Sequence, residues 1–368
     1  ESKAVILATG GAGEVFKYNV TPPDMTGDGY RLALQKGVSL FDMEFVQFYP
    51  ISIVEPGVPH WYLPYWYFFE NGALLHNIKG EDVLVREGFT KIEEITRDKL
   101  ARACGQDEVL LLDCTRMTDD VWKQHDFLAF KNEMLRHGFD PGDKPFKVTP
   151  TGYYFMGGIK IDASCRTSVP GLYAAGEVVG GIHGANRLGS NEFPAALVFG
   201  AIAGKSASEY TLTIPKMRIP ADSVNSSREK IRQCLKAERT KVGHPVAVRA
   251  KIQETMWDYA IWVRSREGLE RALKKLKNIK SEQMSSSYAR TFSELKRLLE
   301  NEALMDTAEM ICWAAWMREE SRGSHFRVDY PSEDPVWERN IFSTMTGNEV
   351  NLQLNSGEVS VHSGSRAP

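Results

Sequence analysis

The stretch that most constrains this chain runs from Leu172 to Asn191, Leu-Tyr-Ala-Ala-Gly-Glu-Val-Val-Gly-Gly-Ile-His-Gly-Ala-Asn-Arg-Leu-Gly-Ser-Asn. A short apolar run ends in small residues and one carboxylate, Glu177, and a glycine-rich turn holding one cation, Arg187, follows. A helix then opens at Ser190 or Asn191 and reads from Phe193 to about Ser208. Pro194 falls in its first turn, where a missing N–H is not needed. Ala196, Gly200 and Gly204 recur at i+4 and leave one face nearly bare, so the pattern predicts a close neighbour there. The helix start offers unpaired N–H groups and a positive dipole end. Strand, glycine turn and helix N-terminus together describe either a cradle for an electron-rich or anionic ligand or plain tight strand-to-helix packing.

The 368 residues are 42% apolar and 25% charged with a net charge of -3, the profile of a globular chain long enough for two or more domains. So small a charge gives nucleic acid or an anionic membrane no handle. No apolar run approaches the ~18 residues that span a bilayer, and no secretory signal is visible. Cys104, Cys114, Cys165, Cys234 and Cys312 are scattered without a C-x-x-C. That argues against a disulfide framework, an iron–sulfur cluster or a zinc site in this chain and fits a reducing compartment. No G-x-G-x-x-G occurs, and Gly10 to Gly13 and Gly27 to Gly29 lack the spacing that lets backbone approach a pyrophosphate. If the fold is of the dinucleotide-binding kind, its first βαβ unit is missing and the sequence reads as a fragment.

Residues 4 to 13 read as a buried parallel strand running into a glycine turn. Tyr30 to Gly37 reads as a short helix, and Asp28 before it either caps that helix or binds a sugar-like hydroxyl. Strands follow at Val38 to Phe41 and Met43 to Pro50. Trp61, Tyr62 and Tyr65 to Phe69 form an aromatic cluster that packs a core or lines an apolar pocket, and Pro59 and Pro64 argue against a helix there. Thr96 can cap a helix carrying Arg97 in its first turn. A cation there costs roughly 0.3–1 kcal/mol, so Arg97 is either a surface residue or held for another purpose. A buried strand is expected at Val109 to Asp113, a helix at Val121 to His137 and a strand at Ile159 to Asp162. Val224 to Met317 carries helical periodicity, divided at Gly243-His-Pro245, Gly268 and Ser285 to Ser287, and predicts a bundle of three or four helices. The tail from Glu320 reads as turn-rich, then extended and polar.

Eight short motifs recur in order: ATGGAG at 8–13, TGDG at 26–29, EFVQFYP at 44–50, TRD at 96–98, MGGI at 156–159, PGLYAAGE at 170–177, GGIHGANRLGSN at 180–191 and ESRGSHFRVDYP at 320–331. Together they resemble the FAD-dependent flavoprotein family of succinate dehydrogenase, fumarate reductase and L-aspartate oxidase, with adenylylsulfate reductase a more distant relative. The resemblance implies an α/β FAD-binding domain, incomplete here, at 1–45 and 153–214, interrupted by an α+β capping domain at 46–152. A helical-bundle domain at 215–319 and a C-terminal extension at 320–368 follow. It implies FAD as cofactor. Asp28 and Glu177 are then on cofactor hydroxyls, Thr9, Gly10 and Gly11 at the first glycine turn, and Asn191, Glu192 and Phe193 beside the isoalloxazine.

In that family a dicarboxylate is clamped beside flavin N5; hydride passes between N5 and one alkene carbon and a proton passes at the other. Arg187 matches the carboxylate-binding arginine, whose planar fork suits bidentate binding. Arg97 matches the arginine given the proton, although a guanidinium with a pKa above ~12 is a poor general acid by default. The expected activity is that of an FAD-dependent oxidoreductase on CH–CH bonds. Departures lie in the same place. Tyr49 and Tyr153 stand where the family has substrate-binding histidines, and the aromatic run Tyr65 to Phe69 replaces a Thr-Glu segment. A substrate bulkier or more apolar than fumarate is expected. An iron–sulfur or other electron-transfer subunit is the expected partner, with no nucleic acid, no direct membrane insertion and no metal. The expected location is cytoplasmic, or peripheral to a membrane through that partner. An L-aspartate oxidase-like or adenylylsulfate reductase-like enzyme is an alternative within the class. A catalytically decayed flavin-binding relay is the other: the lost histidines favour it, the retained arginines oppose it.

Overall fold

An apolar run without alternation becomes β1 (Val5–Leu7), and its glycine turn leads to α1 (Asp28–Leu34), entered through Gly27 at φ 78. The computed structural model describes residues 2–105, 110–215, 221–236, 243–347, 349–354 and 360–362. The chain forms two units, one of residues 1–17, 21–47 and 154–368, the other of 18–20 and 48–153. After β2 (Leu40–Phe41), the wholly buried β3 (Val46–Ile53) carries the chain from the first unit into the second.

The second unit contains α2 (Tyr65–Glu70), β4 (Leu74–Asn77), α3 (Val83–Arg86), α4 (Arg97–Cys104), β5 (Leu110–Asp113), α5 (Asp119–Trp122), α6 (His125–Arg136) and β6 (Phe146–Phe155), whose end returns to the first unit. Its sheet has the order β3-β6-β5-β4. β5 is antiparallel to β4 and β6, with Leu112 opposite both Leu75 and Phe146. The aromatic cluster is largely its core: Tyr65, Phe68 and Phe69 are buried, and Tyr67 stacks on Phe127 at 4.6 Å. Against expectation the cluster includes a helix. Pro64 stands at its N-cap, where its missing N–H is not needed, and its carbonyl accepts Tyr67 N–H at 2.9 Å. The single helix expected over Val121 to His137 is two, separated by Gln124 at ψ 141. The start of the Val109 strand lies outside the described residues.

Back in the first unit follow β7 (Gly158–Ile159), β8 (Leu172–Ala174), α7 (Glu192–Thr213), α8 (Ala221–Lys236), α9 (Pro245–Tyr259), α10 (Arg266–Asn278), α11 (Phe292–Met317), β9 (Ile341–Thr346), β10 (Glu349–Leu354) and β11 (Ser360–His362). β1 and β8 pair in parallel, Ile6 opposite Tyr173. α11 is buried along most of its length and packs against α9, α10 and α1. Thr291 Oγ1 accepts Glu294 N–H at 3.1 Å as the cap, and Glu294 Oε2 accepts the N–H of Arg290, the residue before the cap, at 2.7 Å. Gly268, read as a break, lies in the first turn of α10, where its N–H reaches Ser265 Oγ at 3.1 Å.

One further expectation fails. The tail is not merely extended: β9 to β11 join β2 and β7 in a sheet of order β11-β10-β9-β2-β7. Val350, Leu352 and Leu354 are buried with exposed or half-buried residues between them, the period-two alternation of a one-faced strand. The part of the tail beyond residue 362 lies outside the described residues. Among the described residues, a β-carbon at Gly200 or Gly204 of α7 would meet nothing within 4 Å.

Candidate active site

In the first unit, the turns that leave β1 and β8 come together. A β-carbon on Gly11 would lie 2.3 Å from Glu177 Oε1, so the glycine is what lets that carboxylate approach. Glu177 Oε1 also accepts Phe155 N–H at 3.0 Å. Burial pushes its carboxyl up to about 7, against the pull of that N–H and of Arg187. A β-carbon on Gly29 would lie 2.1 Å from Thr9 Oγ1, which puts the Thr9 hydroxyl against the start of α1. Asp28 is the first residue of α1, not its cap, and takes a hydrogen bond of 2.5 Å from Thr26 Oγ1.

Arg187 is 3% exposed. Its Nη2 donates to Gln47 Oε1 at 2.9 Å, its Nη1 donates to Leu188 O at 3.1 Å, and Glu192 forms an ion pair with it. The guanidinium lies 4.6 Å from the centre of the Tyr154 ring, whose hydroxyl meets His183 Nε2 at 3.2 Å. Gln47 Nε2 returns to Asn186 Oδ1 at 2.8 Å and Arg187 O at 3.0 Å, so one amide holds both ends of the loop residue. The loop is fixed from behind as well: Ser324 donates from its N–H (3.0 Å) and its Oγ (3.2 Å) to Ala185 O. Asn191 and Phe193 are exposed at the start of α7, and Ser190 before them is left-handed at φ 63. Phe193 is 70% and Leu188 78% exposed, a large apolar exposure beside a helix N-terminus.

In the second unit, Arg97 begins α4, and the Thr96 hydroxyl accepts Lys99 N–H at 3.4 Å as its cap. Its guanidinium stands 5.2 Å from the Tyr49 ring centre and 5.7 Å from that of Tyr153. Tyr49 packs against Tyr62 at 4.9 Å and Tyr153 at 5.2 Å, and the Tyr65 hydroxyl donates to Ile95 O at 3.1 Å. Tyr49 is 1% exposed, and burial holds its hydroxyl well above the usual phenol range, opposed by Arg97. Neither Tyr49 Oη nor Arg97 Nη1, both buried, has a hydrogen-bond partner among the described residues. The electron-rich ring faces account for a cation at a helix start, where the dipole opposes it.

The expected residues thus fall into two sets. Thr9, Gly10, Gly11, Asp28, Glu177, Arg187, Asn191, Glu192 and Phe193 belong to the first unit, Tyr49, Arg97 and Tyr153 to the second. Glu192, expected at the cofactor, has its carboxylate on Arg187. Gln47, Tyr154 and His183 were not singled out. Gln47 alone left a signal, as one amide in a buried apolar strand.

The family described as FAD binding domain matches residues 1–193, and that described as fumarate reductase flavoprotein C-term matches residues 249–365. The chain belongs to the fumarate reductase, succinate dehydrogenase and L-aspartate oxidase flavoprotein family. It is similar to an uncharacterized FAD-dependent oxidoreductase of Methanocaldococcus jannaschii (35% identity) and to one polypeptide of the fumarate reductase (CoM/CoB) of Methanothermobacter marburgensis (33%), each over 92% of this chain and 63% of the relative. Among solved structures, Mycobacterium smegmatis Sdh1 in complex with UQ1 aligns with a TM-score of 0.85 at 28% identity, over 98% of this chain and 62% of the other. The chain spans less than two thirds of the length of these relatives. As a member of this flavoprotein family it takes FAD. The first unit fits that group: two glycine turns and the carboxylates of Asp28 and Glu177 suit cofactor hydroxyls, and the exposed Phe193 and Leu188 suit a flat apolar ring. Among the described residues, no helix is long and apolar enough to cross a membrane.

Proposed function

We propose that the chain is the flavoprotein part of an oxidoreductase that transfers hydride between FAD and a C–C or C=C bond beside a carboxylate. Bound FAD supplies the hydride acceptor or donor. The rest falls to side chains. Thr9, Gly10, Gly11, Asp28 and Glu177 hold the cofactor's polar parts, and Asn191 to Phe193 meet its ring. By the family resemblance, Arg187 is the residue that orients the substrate carboxylate and Arg97 the one given the proton. The observation that carries this reading is the Arg187 fork: buried, and fixed by Gln47 on one side and Glu192 on the other, inside the glycine loop between β8 and α7. A fixed planar fork lowers the entropy cost of orienting a substrate.

Electrons would be exchanged with an iron–sulfur or other electron-transfer subunit, either in the cytoplasm or at a membrane surface to which that subunit binds. The test uses the FAD-loaded holoenzyme with reduced viologen as electron donor and fumarate, crotonate and cinnamate as acceptors. Arg187→Lys keeps the charge and loses the fork, and is expected to lower kcat/KM about 100-fold with FAD still bound. Failure of every enoate to reoxidise the viologen would overturn the reading. A relay without substrate chemistry is the second reading, favoured by the Glu192 carboxylate on Arg187; it expects Arg187→Lys to change nothing in electron transfer to a dye.

A further inference from the structure

Glu192 stands in the first turn of α7, and its carboxylate pairs with Arg187. The Arg187 side chain is fully buried, that of Glu192 24% exposed. Gln47 Oε1, Leu188 O and the Tyr154 ring, which also meet the guanidinium, are neutral. All five residues lie in the first unit. Local structure does not call for a carboxylate at this position. Gln47 already holds the fork, and a glutamine at 192 could accept the same hydrogen bond from Arg187 Nη1. What a carboxylate alone adds is charge.

Charge at this place bears on the cofactor. Two-electron reduction of a flavin takes up two electrons and one proton, so the ring system gains one net negative charge. A cation beside the ring favours the reduced form, and an anion disfavours it. Arg187 among neutral groups would favour the reduced form, and the N–H groups at the start of α7 act in the same direction. Glu192 opposes both, since it balances the guanidinium and stands at the positive end of the helix. Glu177, in the turn after β8, opposes them less. Burial raises its carboxyl to about 7, and one of its oxygens is taken by Phe155 N–H.

We propose that Glu192 sets the reduction potential of the bound FAD, holding it below the value that Arg187 and the start of α7 would otherwise impose. The proposal rests on the reading above in placing the isoalloxazine beside Asn191 to Phe193, and it is independent of the substrate. Glu192 is thus a positioning residue for charge: it acts through Arg187 and makes the reduced cofactor a stronger hydride donor.

The test reads a potential, not a turnover. FAD-loaded holoenzyme is reduced stepwise in equilibrium with a reference dye, at one pH above the Glu177 value of about 7, and the flavin spectrum gives the midpoint. Glu192→Gln and Glu192→Ser both remove the charge but differ in size and hydrogen bonding. Each is expected to raise the ratio of reduced to oxidised FAD at a given dye potential at least about tenfold, an upward shift of ~30 mV for a two-electron couple. Glu192→Asp keeps the charge and is expected to move that ratio less than about threefold. A residue that merely fixed the fork would leave the potential of Glu192→Gln unchanged. An unchanged or lowered potential in either charge-removing variant overturns the proposal. Phe193→Ala reports separately on where the ring lies, and is expected to move the flavin absorption bands. If it does so while the Glu192 variants keep the wild-type potential, this proposal falls and the placement of the ring stands; if neither responds, both fall. No turnover with any enoate, with the potential raised in Glu192→Gln and Glu192→Ser, overturns the CH–CH reading and leaves the role of Glu192 standing.

Discussion

At Glu177 a single buried carboxyl ties stability to pH. Its carboxyl titrates at about 7 in the folded chain, raised by burial from an ordinary 4.5. The folded state therefore keeps a proton that the unfolded state releases, and stability is greatest below pH 4.5 and is lost as the pH rises toward 7. Each tenfold in proton affinity is ~1.4 kcal/mol, so Glu177 accounts for about 3 kcal/mol at most. Glu177→Gln should flatten the fall in chemical-denaturation stability between pH 4.5 and 7. Asp42, pushed up to about 7 by burial first and then by Glu44, adds to the slope that remains, as do Asp306 and Glu309, both raised by burial. Glu177 and Arg187 stood out in the sequence as the lone charges of a glycine-rich run. Gln47 did not announce its role, because its bond to Arg187 spans 140 positions and no local pattern records it. The Glu192 pairing spans only five positions, yet a first-turn glutamate reads equally well as a partner for the helix dipole.

Among the elements, α7 best shows what periodicity can and cannot say. Its existence was legible from Pro194 and the apolar content, and it forms as Glu192–Thr213. Its bare stripe reads as a packing surface, but small residues at i+4 state only that something could approach, and among the described residues no atom lies within 4 Å of a β-carbon added at Gly200 or Gly204. Gly200→Ala and Gly204→Ala are therefore expected to raise stability by about 0.5–1 kcal/mol each, as ordinary glycine replacements inside a helix. A thermal melt of each variant checks this; a lowered Tm would mean that the open face is needed. The helix after Pro64 was missed for a different reason. Proline forbids a helix through itself but permits one that begins beside it, and the aromatic run supplied the packing. Thr96 was different: its cap is a local hydrogen bond, and local hydrogen bonds are what sequence encodes best.

At the scale of the first unit, the least legible feature is a buried ionic knot that draws remote segments together. Arg318, just past α11 and 1% exposed, bonds Glu44 Oε1 at 2.6 Å and Glu320 Oε1 at 3.1 Å and donates to the carbonyls of Trp337 and Arg339. Asp42 accepts from Asn340 Nδ2 at 2.5 Å and from Ile341 N–H at 3.0 Å, which fixes where β9 begins against β2. In the sequence these were ordinary charges, since nothing marks a charge that will be buried. Arg318→Met would leave Glu44 without its cation, and the loss of one partner from a buried pair costs about 3–5 kcal/mol, to be read from the denaturant midpoint. The same C-terminal region reaches the arginine loop through Ser324 and Ala185, with Gly323 at φ 53 so close that a β-carbon would sit 2.4 Å from the Ala185 carbonyl oxygen. The loop's freedom to open is thus borrowed from a segment more than 130 positions away. Whatever loosens the turn after α11 lowers the free energy of local opening at Arg187, so the rigidity of that loop is a property of the helical part's own stability.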